Sequence, residues 1–113
     1  MPTPSISFGC SINNIEPQHM AEFAKRAEEL GYDRLVTGEH VQDGNPPIPR
    51  LLSLPVLAAA AAVTKRIRVM SGILIAPLYH PVMLAKLIAT VDQISNGRLD
   101  FGISALVDRH GQV

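Results

Sequence analysis

Four polar residues stand where strand-like segments run into loops, and their types suit proton transfer or hydrogen bonding. Glu39 and His40 follow one such segment, His80 follows the next, and Ser104 ends the last. Near neutral pH a histidine can relay a proton or donate a hydrogen bond to a developing negative charge. Position alone leaves two interpretations of His40 open, a functional histidine and a solvated one. His80 precedes Pro81 and is also suited to cap a helix.

Other residues that carry charge or can bind metal point to structure rather than chemistry. Asp100 alternates with Leu99 and Phe101, and if it points into a barrel its charge needs a partner. Arg68 on the neighbouring strand is the candidate, so the pattern predicts a salt bridge. The four histidines and one cysteine lack the spacing of metal ligands, and no metal site is expected.

The segments that position these residues alternate between strand and helix patterns. Strands are expected at 5–9, 34–38, 67–75 and 98–103, and helices at 17–30, 51–63 and 81–96. Gly31 and Gly97 are expected to end the first and third helices, since glycine adopts the left-handed conformation without steric cost. The third strand is apolar at nearly every position, which is typical of a strand buried on both faces of a parallel sheet.

This alternation predicts an α/β fold with a parallel sheet built from right-handed (β/α) units. Two architectures are open: a doubly wound sheet, or part of a closed TIM (β/α)8 barrel. A barrel needs roughly 250 residues, so the 113 residues of this chain supply about half of one. In both architectures the functional edge is the carboxyl end of the strands, where the four polar residues fall.

Composition excludes several classes of partner. The ten Lys and Arg balance the ten Asp and Glu without a run of like charge, so no nucleic acid is expected. The longest apolar run, Leu54 to Val63, is too short to cross a bilayer, and we expect no membrane partner. The single cysteine, Cys10, and a first segment unlike a signal peptide favour a cytoplasmic protein.

Motifs of other enzyme classes are absent from the sequence. No Gly-x-Gly-x-x-Gly follows the first strand, which argues against a dinucleotide-binding fold. A phosphate-binding loop ending in Lys-Ser or Lys-Thr and a Gly-x-Ser-x-Gly elbow are missing as well. An open binding module of flavodoxin type needs a phosphate loop after the first strand, for which residues 9–14 are a faint match.

Four segments resemble the bacterial-luciferase-like monooxygenase superfamily. They begin with Gly-Tyr-Asp-Arg-Leu-Val-Thr-Gly-Glu-His at 31–40 and continue at 58–69, 77–86 and 89–99. Because they keep the order and spacing of that family across about residues 5–104, the chain is interpreted as one partial barrel domain over 1–113. It resembles the N-terminal half of a family member, and the C-terminal half of the barrel has no counterpart in it.

The resemblance implies a flavin- or deazaflavin-dependent oxidoreductase, with reduced FMN or coenzyme F420 at the carboxyl end of the strands. The implied reaction on a small-molecule substrate is monooxygenation with molecular oxygen or hydride transfer. His40 matches a histidine that lines the flavin or substrate pocket, and it is the implied catalytic residue. Residues implied to bind the coenzyme are Glu39, Ser104 and the segment Ser71-Gly72-Ile73. That segment matches a family bulge with a non-prolyl cis peptide.

Two departures from the family shape the remaining expectations. The end of strand four is usually Gly-x-Gly, and here it is Gly102-Ile103-Ser104. Four strands alone would expose strand edges and apolar surface, so a homo-oligomer or a complementing half-barrel is expected. The alternative function is a non-catalytic fragment or binding subunit that keeps the fold, and coenzyme binding by the chain separates the two.

Overall fold

A computed structural model describes residues 5–41 and 44–105 of the chain. In these ranges strands and helices alternate as β1 (Gly9–Ser11), α1 (Met20–Glu29), β2 (Arg34–Thr37), α2 (Ser53–Ala62), β3 (Arg68–Ile75), α3 (Pro81–Ile94) and β4 (Leu99–Ser104). Short 3-10 turns at Pro17–His19 and Ala76–Leu78 precede α1 and α3. None of the helices described combines the length and the apolar character that a bilayer crossing requires.

All the strands pair in parallel, and their order in the sheet is β1-β2-β3-β4. A doubly wound sheet reverses its strand order at a switch point, whereas the units of a (β/α)8 barrel follow one another around the sheet. The sequential order is therefore that of consecutive barrel units, and the predicted α/β fold is confirmed.

A left-handed residue ends two of the helices. Gly31, with a φ of +89°, follows the C-cap of α1 as the sequence predicts. After α3, which ends at Ile94, the first left-handed residue is Asn96 with a φ of +55°, and the predicted Gly97 follows it with a φ of +79°. The start of the first helix differs from the prediction, because the chain forms a 3-10 turn at Pro17–His19 and the α-helix begins only at Met20.

The first strand lies later than its hydrophobic pattern predicts. The sequence predicts a strand at 5–9, whereas β1 is Gly9–Ser11, which pairs with Arg34–Val36. Ile6 and Phe8, whose alternation suggested the strand, are 80% and 65% exposed. The side chains that reach the core from this segment are Cys10 and Ile12.

The core lies between the sheet and the helices on one of its faces. Its fully buried members include Leu35, Leu57, Ile67 and Val69. Burial alternates along the first half of β3, where Arg68 and Met70 are only half-buried. The predicted burial of this strand on both faces is thus wrong, because the described helices pack against one face and leave the other accessible.

The accessible face carries the predicted ion pair of Asp100. Arg68 holds both carboxylate oxygens, with Nε 2.7 Å from Oδ2 and Nη2 2.8 Å from Oδ1. Arg34 adds a third bond, from its Nε to Oδ2 at 3.2 Å. The hydrogen bond from Arg68 outweighs burial and lowers the pKa of Asp100. The interpretation of Asp100 as structural is confirmed, with Arg34 as a further partner.

Glu28, at the end of α1, joins this helix to the loop that precedes β3. Its Oε2 accepts hydrogen bonds from the backbone N–H groups of Lys65, Arg66 and Ile67 at 3.0, 2.7 and 2.9 Å. Burial alone raises the pKa of this carboxyl, but the three N–H donors prevail and the pKa lies below its ordinary value of 4.5. The charged form of Glu28 therefore stabilises the fold.

Replacing this carboxylate is expected to destabilise the chain in a pH-dependent way. Glu28→Gln weakens charge-assisted bonds and lowers the free energy of unfolding by about 1–2 kcal/mol at neutral pH. Since the folded pKa is lowered, the contribution is complete above the unfolded pKa and disappears as pH falls through the folded one. Urea denaturation at pH 7 and pH 3 measures it, with the exposed Glu29→Gln as control. If Glu28→Gln and Glu29→Gln lowered the free energy of unfolding equally, the hydrogen bonds of Glu28 would not stabilise the fold.

Candidate functional site

Predicted site residues from two neighbouring strands meet at the carboxyl edge of the sheet. The chain leaves β2 at Thr37 and continues through Gly38, Glu39 and His40. These three residues line a pocket of about 150 Å³ together with Gly72 and Ile73 of β3. The structure thus brings together four residues that sequence reasoning assigned to one site, namely Glu39, His40, Gly72 and Ile73.

A β-bulge shapes the β3 wall of this pocket. Ser71 pairs with Phe101 and Leu74 with Ile103, so β3 has one residue more than β4 between the two pairs. The extra residue falls in the Gly72–Ile73 stretch, whose peptide bond is cis and whose residues are exposed. A bulge that turns backbone away from the ladder presents it to the pocket. The cis peptide lies where the family resemblance predicts it.

The hydroxyl of Ser71 holds the bulge against β4. Ser71 is fully buried, and its Oγ accepts from the N–H of Gly102 and donates to the carbonyl of Gly102, each at 3.1 Å. These bonds pair Gly102 at the point where the extra residue interrupts the backbone ladder. The contacts give Ser71 a positioning role, and direct coenzyme binding by Ser71 stays a prediction.

Glu39 supports the same bulge from the other side. Only 3% of the residue is exposed. Its Oε2 accepts the N–H of Ile75 at 3.0 Å, and its Oε1 accepts the phenol of Tyr79 at 2.5 Å. Burial, and then Glu39, raise the pKa of Tyr79, which keeps the phenol protonated as the donor. Both carboxylate oxygens are engaged inside the protein, so Glu39 positions the site, and contact with a coenzyme stays a prediction.

Tyr79 is a site residue that sequence reasoning missed. It lies 40 positions from Glu39 in the chain, beyond the short turn that follows β3, and no spacing rule connects the two. A tyrosine between a strand and a proline-initiated helix gives no signal of its own, because its partner is set by how β2 and β3 align.

Glycines allow the strand ends to approach closely around the pocket. A Cβ on Gly38 would lie 3.3 Å from the carbonyl oxygen of Gly72, and one on Gly72 would lie 3.0 Å from Cγ1 of Val36. A Cβ on Gly102 would come within 3.0 Å of the carbonyl oxygen of Ser71. Larger residues at these positions would push the bulge away from its neighbours.

His40 is exposed and stands between two pockets. Besides the bulge pocket, it lines a second cavity of about 90 Å³ at the ends of β1 and β2. The polar residues of that cavity include Asn13, Asn14 and Arg50. Asn13 and Asn14 belong to the segment 9–14 that faintly matches a phosphate loop, and the sequence did not single out Arg50. A side chain placed between two pockets can contact a group bound in each.

The remaining predicted site residues lie apart from the bulge pocket. His80 is the N-cap of α3, where its Nδ1 accepts the N–H of Val82 at 3.3 Å, so the capping interpretation is confirmed. Ser104 ends β4 opposite Ile75 and is not among the described residues that line the bulge pocket. A coenzyme contact at Ser104 stays a prediction.

The chain is similar to proteins of one enzyme family. The sequence pattern of the luciferase-like monooxygenase family matches residues 5–110. The 4-hydroxyprotoasukamycin monooxygenase of Streptomyces nodosus subsp. asukaensis is 32% identical over 111 residues, which cover 88% of this chain and 29% of that protein. An F420-dependent glucose-6-phosphate dehydrogenase of Nakamurella multipartita is also 32% identical, over 91% of this chain and 32% of its own length.

A solved structure shares the fold of the chain. The oxygenating constituent of 3,6-diketocamphane monooxygenase from Pseudomonas putida, in complex with FMN, superposes with a TM-score of 0.78 at 25% identity. The superposition covers 96% of this chain and 32% of that one. The chain therefore spans about a third of the length of the proteins it matches, and these include flavin- and F420-dependent oxidoreductases.

Proposed function

The chain belongs to the luciferase-like monooxygenase family, and from this premise we propose that it forms the first four strands of a flavin- or deazaflavin-dependent oxidoreductase. The observation that carries the proposal is the bulge pocket, which His40, Gly38 and the bulge residues Gly72 and Ile73 line together. Monooxygenation and hydride transfer are both chemistries of family members, and the proposal covers the coenzyme-dependent step common to them.

The residues of the bulge pocket fit a flat, reduced ring system. Gly38 and Gly72 have no side chains, and a Cβ on either would meet atoms across the pocket wall. Ile73 is 41% exposed and offers an apolar surface for an aromatic ring. Reduced FMN or reduced coenzyme F420 supplies the electron pair when bound. The chain supplies a wall of backbone, one aliphatic contact and one imidazole.

In this proposal each residue of the site has a distinct task. Ser71 and Glu39 fix the bulge through bonds to Gly102, Ile75 and Tyr79, so the backbone of Gly72 and Ile73 is preorganised before the coenzyme binds. His40 holds or moves a proton at an imidazole nitrogen, within reach of both pockets. Preorganised hydrogen-bond groups favour charge that develops during reaction, because they need no rearrangement at that moment.

The proposal is tested by anaerobic titration of the purified chain with reduced FMN and with reduced coenzyme F420. Saturable changes in absorbance or fluorescence with one of them are expected, and His40→Ala should weaken that binding about tenfold, since it removes a hydrogen-bond donor from the pocket. The coenzyme that saturates the wild type identifies the class of chemistry.

A matched histidine provides the control. His19→Ala removes an exposed histidine from the turn before α1 and should leave the affinity unchanged. Absence of binding to either coenzyme by a folded sample would contradict the proposal and favour the alternative of a fragment that keeps only the fold.

The proposal also includes a protein partner. Phe101 and Ile103 on β4 are 52% and 54% exposed, and an apolar groove runs between this strand and α3. We propose that further (β/α) units of the same family, from a second copy or from a complementing half, cover this surface.

A further inference from the structure

The side chain of Asn13 continues the pairing of β1 with β2 beyond their last backbone bond. That bond runs from the N–H of Ile12 to the carbonyl of Val36 at 2.9 Å. Alternate residues of a parallel strand point their N–H groups at the same neighbour, so the next such donor after β2 belongs to Gly38. Oδ1 of Asn13 accepts it at 2.7 Å. A side-chain amide therefore takes the place of a backbone carbonyl at the edge of the sheet.

The amide oxygen of Asn13 holds two donors at once. Besides the N–H of Gly38, it accepts the hydroxyl of Thr37, a residue that is 3% exposed, at 2.8 Å. A backbone N–H cannot accept a hydrogen bond, so the oxygen of the amide must face Gly38, and both of its lone-pair positions are occupied. The NH2 group is left for the adjoining cavity. The base of Asn13 is fixed as well, because the preceding residue, Ile12, is a buried member of the core.

Gly38 is the residue of this segment that most needs such a bond. A Cβ at this position would lie 3.3 Å from the carbonyl oxygen of Gly72, so the close approach of the β2 end to the bulge favours glycine. Glycine has more backbone freedom to lose than any other residue, and the bond to Asn13 restricts that freedom. The following residue, Glu39, is anchored from the β3 side through both carboxylate oxygens. The end of β2 is thus held from β1 by Asn13 and from β3 by Glu39.

His40 comes directly after this segment and depends on it for its direction. The residue is exposed, and its imidazole forms no hydrogen bond with any residue in the ranges 5–41 and 44–105. Its place is therefore set by the backbone that precedes it. We infer that Asn13 is a positioning residue for His40: by fixing Gly38, it keeps the imidazole at the border of the two pockets that His40 lines.

This inference rests on the proposed function, because it concerns the histidine that the proposal assigns to the coenzyme. Asn13 acts through His40 and needs no contact of its own with the reacting atoms. Without the amide oxygen, Gly38 and His40 sample further conformations, and only the fraction with the imidazole at the bulge pocket binds coenzyme fully. The apparent affinity falls in proportion to that fraction. The loss cannot exceed the loss caused by removing the imidazole itself.

The first test needs no coenzyme, so its result is independent of the coenzyme titration. Hydrogen exchange of the Gly38 amide and the ring signals of His40 are measured by NMR in the wild type, Asn13→Leu and Asn13→Asp. Leucine has a similar size but accepts no hydrogen bond, so exchange at Gly38 should become about tenfold faster and the His40 signals should shift. Aspartate keeps the acceptor and should restore the protection of Gly38. Glu28→Gln, which lowers stability away from the site, should leave the His40 signals unchanged.

The second test is a double-mutant cycle in the anaerobic titration with coenzyme. Asn13→Leu should weaken binding by up to about tenfold, and the variant with both Asn13→Leu and His40→Ala should bind like His40→Ala alone, because the two changes act through one group. Losses that add in the double variant would overturn the inference and leave the proposed function in place. A wild type that binds neither coenzyme would contradict the proposed function, and the NMR signals would then decide the role of Asn13: unchanged His40 signals in Asn13→Leu overturn it.

Discussion

Arg98→Ala is expected to lower the free energy of unfolding by about 4 kcal/mol, because it leaves several buried acceptors without a donor. All the N–H donors of this guanidinium are used. Nε reaches the carbonyl of Ser95 at 2.6 Å, and Nη1 reaches Thr64 Oγ1 and the carbonyl of Ile67 at 2.9 and 2.8 Å. Nη2 reaches the carbonyls of Ala61 and Thr64 at 2.9 and 3.0 Å.

The position of these bonds explains the size of the effect. Ala61 and Thr64 lie at the end of α2, where the last carbonyls lack regular partners within the helix, although the carbonyl of Ala61 also accepts the N–H of Thr64 at 3.4 Å. Ile67 directly precedes β3. Arg98 thus ties the end of one helix to the starts of two strands. Burial lowers the pKa of its guanidinium, and the hydrogen bonds compensate for that desolvation.

Thermal and urea denaturation followed by circular dichroism measure the effect of Arg98. Arg98→Lys should recover part of the loss, since lysine keeps the charge but lacks the planar array of five donors. Arg26→Ala removes an arginine whose partner is also exposed and should cost less than about 0.5 kcal/mol. Equal stability of Arg98→Ala and Arg26→Ala would show that the Arg98 bonds add nothing to the fold.

Glu39→Ala is the second change with a large expected effect, of about 3 kcal/mol in stability and at least tenfold in coenzyme affinity. It leaves the N–H of Ile75 and the phenol of Tyr79 without an acceptor in a site that is 3% exposed. The bulge at Gly72 and Ile73 lies just before Ile75. Loss of the anchor is therefore expected to loosen the wall that the proposed function assigns to the coenzyme ring.

Two further variants separate the effect of the Glu39 hydrogen bonds from the effect of side-chain volume at Glu39 and Tyr79. Glu39→Gln keeps the shape and one acceptor, so it should retain most of the stability. Tyr79→Phe removes one donor to Glu39 and keeps the ring, so it should weaken coenzyme binding less than Glu39→Ala does. Denaturation and the anaerobic titration measure both quantities. If Glu39→Ala bound coenzyme as tightly as the wild type, the anchoring role would be wrong.

Hydrophobic and glycine patterns in the sequence were sufficient for most of the fold. The order of strands and helices, the end of α1 at Gly31 and the parallel sheet follow from local rules on periodicity and backbone freedom. Those rules misplaced β1, because the alternation of Ile6 and Phe8 has the period of a strand although both side chains are exposed. Periodicity reports which residues share a face and does not report what covers that face.

Part of the site was also determined by the sequence. The positions of Glu39 and His40 after β2, and of Gly72 and Ile73 in β3, follow from chain order and from the family resemblance. Strands of a parallel sheet end at one edge, so residues that follow them meet there. The salt bridge of Asp100 with Arg68 was predictable for a similar reason, since an inward charge on one strand requires a partner on the next.

Only the tertiary structure decided what each of these side chains does. It joins Glu39 to Tyr79, Ser71 to Gly102, and Arg98 to the end of α2, over separations of 31 to 40 residues. It also turns the amide of Asn13 so that its oxygen is occupied and its donor is free for the cavity. The physical reason is that hydrogen bonds act over about 3 Å, so partners depend on strand register and bulges, which the packing of the whole sheet determines.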